Sequence, residues 1–301
     1  MSRTVLITGA TGQQGGATLK ASRFDISLIK YITSSEDGSF KILALTRDRS
    51  SDKAKALQAI PGVEVVEGDL SEGASIDKLF ETHEIDSVFS VQDIFQGNEV
   101  QQGKSLVDVA ARYGVKHFVY TSVDMSGLNP SPVTHFETKR QIEQHLISHE
   151  QMVHTILRPS AFYSNFYWPP YRLSMGTKWN PEKPFKHVAV SDIGRAAAEI
   201  LFSGGHDERF RNKIINLTGD SHRPDEIRKI FKDVKNVVWE DPEEEVDIGT
   251  ELTNALRTIN VHPFEGTPEE SRNLFPWVKD LKSWLETEYQ EKVIAGQLGS
   301  D

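Results

Sequence analysis

The segment Thr8-Gly9-Ala10-Thr11-Gly12-Gln13-Gln14-Gly15-Gly16 places glycines at 9, 12 and 15, between an apolar run and a stretch, 17–32, that suits a helix. A turn of this kind between strand and helix aims backbone N–H groups and a positive helix N-terminus at a phosphate. Gly9 permits the sharp turn, Gly12 clears space for a pyrophosphate, and Gly15 lets the helix pack close to the strands. The spacing is GxxGxxG and not the more familiar GxGxxG. Its weight therefore comes from its setting, after a first strand and before a helix in an alternating chain.

A second signal follows the next apolar run, in Leu45-Thr46-Arg47-Asp48-Arg49. A carboxylate at that point would bind ribose hydroxyls, whereas a guanidinium receives a 2′-phosphate. Arg47, followed by Arg49 and Lys53, predicts NADP(H) as the preferred dinucleotide. Asp48 leaves NAD(H) open, and Glu36 and Asp37 precede the strand in what reads as an inserted loop, 34–39. A third signal is aromatic: Phe162, Tyr163, Phe166, Tyr167, Trp168, Tyr171 and Trp179 crowd seven rings into 18 residues. Phe166, Tyr167, Trp168 and Tyr171 are expected to wall a pocket for a flat or apolar ligand, the packing of a joint between two regions being the alternative.

Short apolar runs at Val5–Thr8, Phe40–Thr46, Val63–Val66, Ser87–Val91, His117–Thr121, Val153–Leu157 and Lys213–Leu217 predict strands. The amphipathic stretches between them predict crossover helices. The clearest is Val100–Tyr113, with Val100, Leu106, Val107, Ala110 and Ala111 on one face and Gly114 as its stop; another is Asp192–Leu201. This alternation predicts an α/β fold, a Rossmann-type doubly wound parallel sheet whose strands are buried on both faces. Past Leu157 prolines gather at 159, 169, 170, 181 and 184. The expected division is a nucleotide-binding domain over 1–157, rejoined by a helix and strand at 190–218, and a smaller irregular α/β region over 158–301 that binds substrate or partner. The five acids within Asp241–Asp247 read as a solvated loop or helix start.

With 34 basic and 44 acidic residues in 301, the formal charge is −10, and cysteine is absent. Disulfides, thiolate nucleophiles and Cys-ligated zinc are thereby excluded, and no metal site is read from the sequence. The acidic balance argues against a nucleic-acid partner. No stretch approaches the roughly 18 apolar residues of a membrane span, and the opening strand leaves no room for a signal peptide. The expectation is no membrane partner and a cytoplasmic location, or a nuclear one for a regulator.

The glycine turn joins further landmarks: Thr46-Arg47, Glu67-Gly68-Asp69-Leu70, Gln102-Gly103-Lys104 to Ala110, Gly114 to Ser122, His135-Phe136-Glu137-Thr138-Lys139, Leu157-Arg158-Pro159 with Phe162 and Asn165, and Val190-Ser191-Asp192-Ile193-Gly194. Collinear from Val5 to about Leu217, the set resembles the NmrA-like family of the atypical short-chain dehydrogenase/reductase superfamily. The resemblance implies Gly9, Ala10, Thr11, Gly12, Gln13 and Gln14 at the pyrophosphate, and Arg47, Asp48, Arg49, Ser50 and Ser51 at the 2′-phosphate. It implies Asp69 and Leu70 at the adenine, Val91 and Gln92 beneath the ribose, Lys139 on the nicotinamide ribose, and Phe162, Tyr163, Ser164 and Asn165 near the nicotinamide.

The wider superfamily reduces carbonyls with Ser, Tyr and Lys, the Tyr four residues before the Lys so that the ammonium lowers the phenol's pKa. Here Ser122 and Lys139 hold two of those positions, and His135 stands where the Tyr would be. An imidazolium could donate a proton near neutrality, but a neighbouring Lys would push the ring toward its neutral form. Two functions are expected from this pattern. One is an NADPH-dependent oxidoreductase acting on a carbonyl, quinone or enone, with Lys139, His135 and Ser122 catalytic. The other is a non-catalytic NADP(H) sensor that binds a regulatory protein.

Overall fold

Runs of Val, Ile, Leu and Phe too short to make helices become the strands of one sheet. The structure, a computed structural model, describes residues 3–10, 40–92 and 97–290. Its strands β1 (Arg3–Ile7), β2 (Phe40–Thr46), β3 (Val63–Glu67), β4 (Ser87–Ser90), β5 (His117–Thr121), β6 (Val153–Pro159) and β9 (Lys213–Leu217) form a seven-stranded sheet in the order β3-β2-β1-β4-β5-β6-β9. Every neighbouring pair is parallel. The order reverses between β1 and β4, which opens the crevice where such sheets bind ligands at the carboxyl ends of their strands.

Alternation of side-chain direction puts apolar residues on both faces. Val5 and Ile7 of β1, with Ile42 and Ala44 of β2, pack toward α1 (Asp52–Gln58) and α6 (Val190–Phe202). Leu6, Leu43, Phe118 and Tyr120 face α2 (Gly73–Thr82), α3 (Glu99–Arg112) and α4 (Thr134–Ser148) on the other side. Burial on both faces holds for the central strands. It fails at the edge, where Lys213 and Ile214 of β9 are exposed because no further strand or helix among the described residues covers them. Helix α3 stops as expected, with Gly114 at φ +73° in the left-handed region.

The C-terminal region has its own sheet and core. Strands β7 (Ala161–Phe162), β8 (Phe185–Val188) and β10 (Asp220–His222) form a three-stranded sheet, β8 central and antiparallel to β10. Around it lie a 3₁₀ turn (Tyr163–Tyr167), α5 (Pro169–Ser174), α7 (Pro224–Lys235), α8 (Thr250–Val261), α9 (Pro268–Leu274) and α10 (Leu281–Thr287). Residues 241–247 form a loop, tethered by ion pairs from Arg228 to Asp241 and from Lys178 to Glu245. No described helix is long and apolar enough to cross a membrane.

Candidate functional site

The crevice is built where β1 and β4 end side by side. The Thr8 hydroxyl donates to the Val91 carbonyl and accepts from the Val91 N–H, both at 2.8 Å, which ends β1 one residue earlier than its apolar run suggests. Gly9 follows at φ +69°, and a Cβ there would lie 2.7 Å from Val91 Cγ1. A side chain at this position would therefore meet both backbone strain and a clash. Gly9→Ala should destabilise the protein by about 2 kcal/mol or more, read from a urea transition, and should weaken dinucleotide binding. An unchanged midpoint would show that the turn tolerates a side chain. Ala10 is buried beneath this turn. Thr11, Gly12, Gln13, Gln14, Gly15, the helical stretch 17–32, and Glu36 with Asp37 lie outside the described residues.

At the end of β2, Arg47 and Arg49 are exposed, and neither makes an ion pair among the described residues. They share an open groove of about 560 Å³ with Glu67, Gly68 and Asp69. The acids and hydroxyls between and after the arginines serve the local chain. Asp48 accepts from the Ser50 N–H at 2.8 Å and from Ser50 Oγ at 2.6 Å, and those bonds hold its carboxyl below the ordinary value. Ser51 Oγ caps α1 by accepting from the Ala54 N–H. Asp69 accepts from the Ser71 N–H at 2.8 Å. Leu70 is half-buried, Val91 is buried, and buried Gln92 donates to Ser90 Oγ at 2.7 Å.

Two of the three residues expected to be catalytic, Lys139 and His135, are engaged by acids that sequence reading did not single out. Lys139 Nζ donates to Glu99 Oε1 at 2.6 Å, and both side chains are buried. The Thr138 hydroxyl takes the other Glu99 oxygen. His135 Nδ1 lies 2.7 Å from Glu251 Oε1, which also accepts the His135 backbone N–H at 2.9 Å. Burial pulls the His135 imidazole below its usual range despite this acid. Because the carboxylate accepts, the ring proton sits on Nδ1, leaving Nε2 as an acceptor. One turn beyond Lys139, Glu143 is gripped by the Arg158 guanidinium, Nε to Oε1 at 2.9 Å. Ser122 is buried at the end of β5, and its hydroxyl has no hydrogen-bond partner among the described residues. Glu99 had one faint signal, an acid in the first turn of a helix; Glu251 had none, since it lies in a region without recognisable motifs.

The aromatic wall needs correction. Phe166 and Tyr171 are 0% and 1% exposed and fill the core of the C-terminal region, so neither presents a face to a ligand. Tyr171 donates to His187 Nε2 at 3.0 Å, and the two rings pack against Phe166. Tyr167 and Trp168 are half-buried against the same core, Tyr167 stacked on Tyr289 at 5.2 Å. Of the residues expected near the nicotinamide, Tyr163 is buried between His187 and Trp284. Phe162 and Asn165 are half-buried, and Ser164 is buried with a hydroxyl that has no hydrogen-bond partner among the described residues.

The fold and much of the sequence have known counterparts. A protein of Dictyostelium discoideum described as NmrA-like family domain-containing is 26% identical over 255 residues, 78% of each chain. The NmrA-like family domain-containing oxidoreductase notA of Aspergillus sp. (strain MF297-2) is 37% identical over 134 residues, 41% of this chain but only 35% of that protein. In fold, the crystal structure of NmrA, a negative transcriptional regulator, in complex with NADP is similar with a TM-score of 0.74 at 21% identity, covering 96% of this chain and 95% of that one. The model of the NmrA-like family matches residues 1–256, and the chain belongs to that family.

Proposed function

We propose that the chain binds NADP(H) at the β1/β4 crevice and reduces a carbonyl, quinone or enone on an aromatic or apolar small molecule. The observation that carries this reading is the pair of exposed guanidiniums, Arg47 and Arg49, which make no ion pair among the described residues and line the same groove as Asp69. Two such cations directly after the second strand fit a 2′-phosphate. The orphaned, buried Ser122 and Ser164 hydroxyls also fit a site completed by a bound molecule. Relatives named as oxidoreductases and a neighbour bound to NADP support the same reading.

In this reading Gly9 to Gln14 receive the pyrophosphate, Arg47 to Ser51 the 2′-phosphate, Asp69 and Leu70 the adenine, and Val91 and Gln92 the ribose. Phe162 to Asn165 border the nicotinamide. When bound, the cofactor supplies the hydride. Lys139 spends one ammonium proton on Glu99 and keeps two for ribose hydroxyls. His135, neutral with Nε2 as acceptor, orients a hydroxyl or water and is a poor proton donor, so the product's proton comes from solvent, with the Ser122 hydroxyl donating a hydrogen bond to the reacting oxygen. The Arg47→Ala variant tests the cofactor assignment. It should raise the Kd for NADPH by about 10- to 100-fold and leave that for NADH nearly unchanged; equal losses would remove the 2′-phosphate role.

The second reading is a regulator that reports NADP(H) occupancy to a protein partner. What favours it is the engagement of Lys139 by Glu99 and of His135 by Glu251, with no phenol at position 135. NADPH oxidation against a panel of aromatic aldehydes, ketones and quinones separates the two readings. Turnover that falls in Lys139→Ala supports the enzyme; tight NADPH binding without any turnover leaves the regulator.

A further inference from the structure

We propose that the chain carries a surface site for a divalent transition-metal ion, of which Zn²⁺ is representative, formed by His145 and His149 of α4 and its cap with Asp108 of α3. Spacing by four residues sets the two imidazoles on one helix face, one turn apart. Their rings meet edge to face with centroids 5.1 Å apart. Both Nε2 atoms converge on a single oxygen, Asp108 Oδ1, at 2.7 Å from His145 and 3.1 Å from His149. No other set of three His or acidic side chains among the described residues brings its ligand atoms together in this way.

The chemistry of the donor set suits such an ion. Two imidazole nitrogens and one carboxylate oxygen match borderline cations, whereas Mg²⁺ and Ca²⁺ prefer all-oxygen shells. Tetrahedral coordination at the usual Zn–N and Zn–O lengths places ligand atoms about 3.4 Å apart. The two oxygen–nitrogen separations need to open by less than 1 Å, and all three ligand atoms already lie within 4.8 Å of one another. Asp108 is exposed and the two imidazoles are partly so, which leaves the groups free to move by that amount and lets an ion enter. Three protein ligands leave the remaining position to water.

The site spans the two helices that meet at their other ends through Glu99 and Lys139. An ion there would clamp α3 to α4 and so steady the helix that carries Lys139 and His135. Sequence reading missed it because the third ligand comes from another helix, 37 positions away from His145.

Calorimetric titration of the full chain, stripped with chelator, with Zn²⁺ tests the proposal. One ion per chain should bind, and His145→Ala, His149→Ala and Asp108→Asn should each weaken binding tenfold or more. His262→Ala, an exposed histidine elsewhere, should change nothing. Excess Zn²⁺ should raise the Tm of the parent by several degrees and leave the His145→Ala/His149→Ala double variant unmoved. Saturating Co²⁺ should give the visible absorption of a nitrogen-ligated ion of low coordination number in the parent alone. Failure to bind one ion per chain, or equal affinity in the double variant, would overturn the site.

Discussion

Replacing Lys279 by Met should cost about 3–5 kcal/mol of stability, because it strands a carboxylate inside the molecule. Asp192 of α6 is fully buried. Its Oδ2 accepts the Lys279 backbone N–H at 2.7 Å, and its Oδ1 takes Lys279 Nζ at 2.5 Å. Glu288 adds a second acid 3.1 Å from the same ammonium. Burial raises the Asp192 carboxyl above its ordinary value even beside Lys279. Burial also works against the Lys279 ammonium, yet Asp192 and Glu288 raise it overall. The two directions conflict over how readily the pair ionises; two short donor contacts on one carboxyl argue that the folded pair is charged. Because this pair joins the seven-stranded sheet's last crossover helix to the C-terminal region, its loss should be felt as loosening of that joint. Guanidinium denaturation of K279M measures the cost, and adding Asp192→Asn should recover part of it. A K279M midpoint equal to the parent's would show that water reaches and solvates Asp192.

Acid should unfold the protein well before its carboxylates titrate, losing about 5 kcal/mol between pH 7 and pH 4.5. Two buried histidines are responsible. His187 lies among Tyr163, Phe166, Trp179 and Phe185, and burial, then the charge on His222, holds it down to about 3. His117 of β5 bonds Thr155 Oγ1 through Nε2 at 2.9 Å, and burial, then His154, holds it down to about 4. Unfolded, both bind a proton near pH 6.5. Below that pH the unfolded chain takes up protons that the folded chain refuses, so stability falls as pH falls. Each ring contributes about 2.7 kcal/mol over the two pH units from 6.5 to 4.5. Burial lowers His135 and His154 in the same direction. His222, raised by its hydrogen bond to Asp220, delivers its stabilisation in full by pH 6.5 and leaves the slope below unchanged. Asp192, raised by burial, opposes the loss only as it protonates. Urea midpoints measured across this range should decline steadily, and His117→Asn should flatten roughly half of the decline. Stability independent of pH from 6.5 to 4.5 would show that these rings reach solvent when folded.

Much of the fold was legible because it depends on local properties. The parallel α/β architecture follows from alternating apolar runs and crossover helices, and each predicted strand is present with its ends shifted by two residues or fewer. Edge exposure at Ile214 was not legible, since an apolar run does not say whether another strand will cover it. At the site, Gly9 and Arg47 were readable because a tight turn and the residue after a strand act within a few positions of themselves.

The sequence by itself determined the alternating α/β architecture, the turn at Gly9, the run of cations after β2 and the exclusion of cysteine chemistry. Only the tertiary structure decided what the charged and aromatic groups do. Lys139 meets Glu99 across 40 positions and His135 meets Glu251 across 116, and no local pattern specifies partners so distant. The same holds for the aromatic segment, which reads as a ligand wall and folds as a core. A ring's periodicity shows only that it will be covered, and whether protein or ligand covers it depends on which other segments arrive. Turn chemistry and periodicity are set by neighbours along the chain, whereas burial and charge pairing are set by packing between segments that the chain keeps far apart.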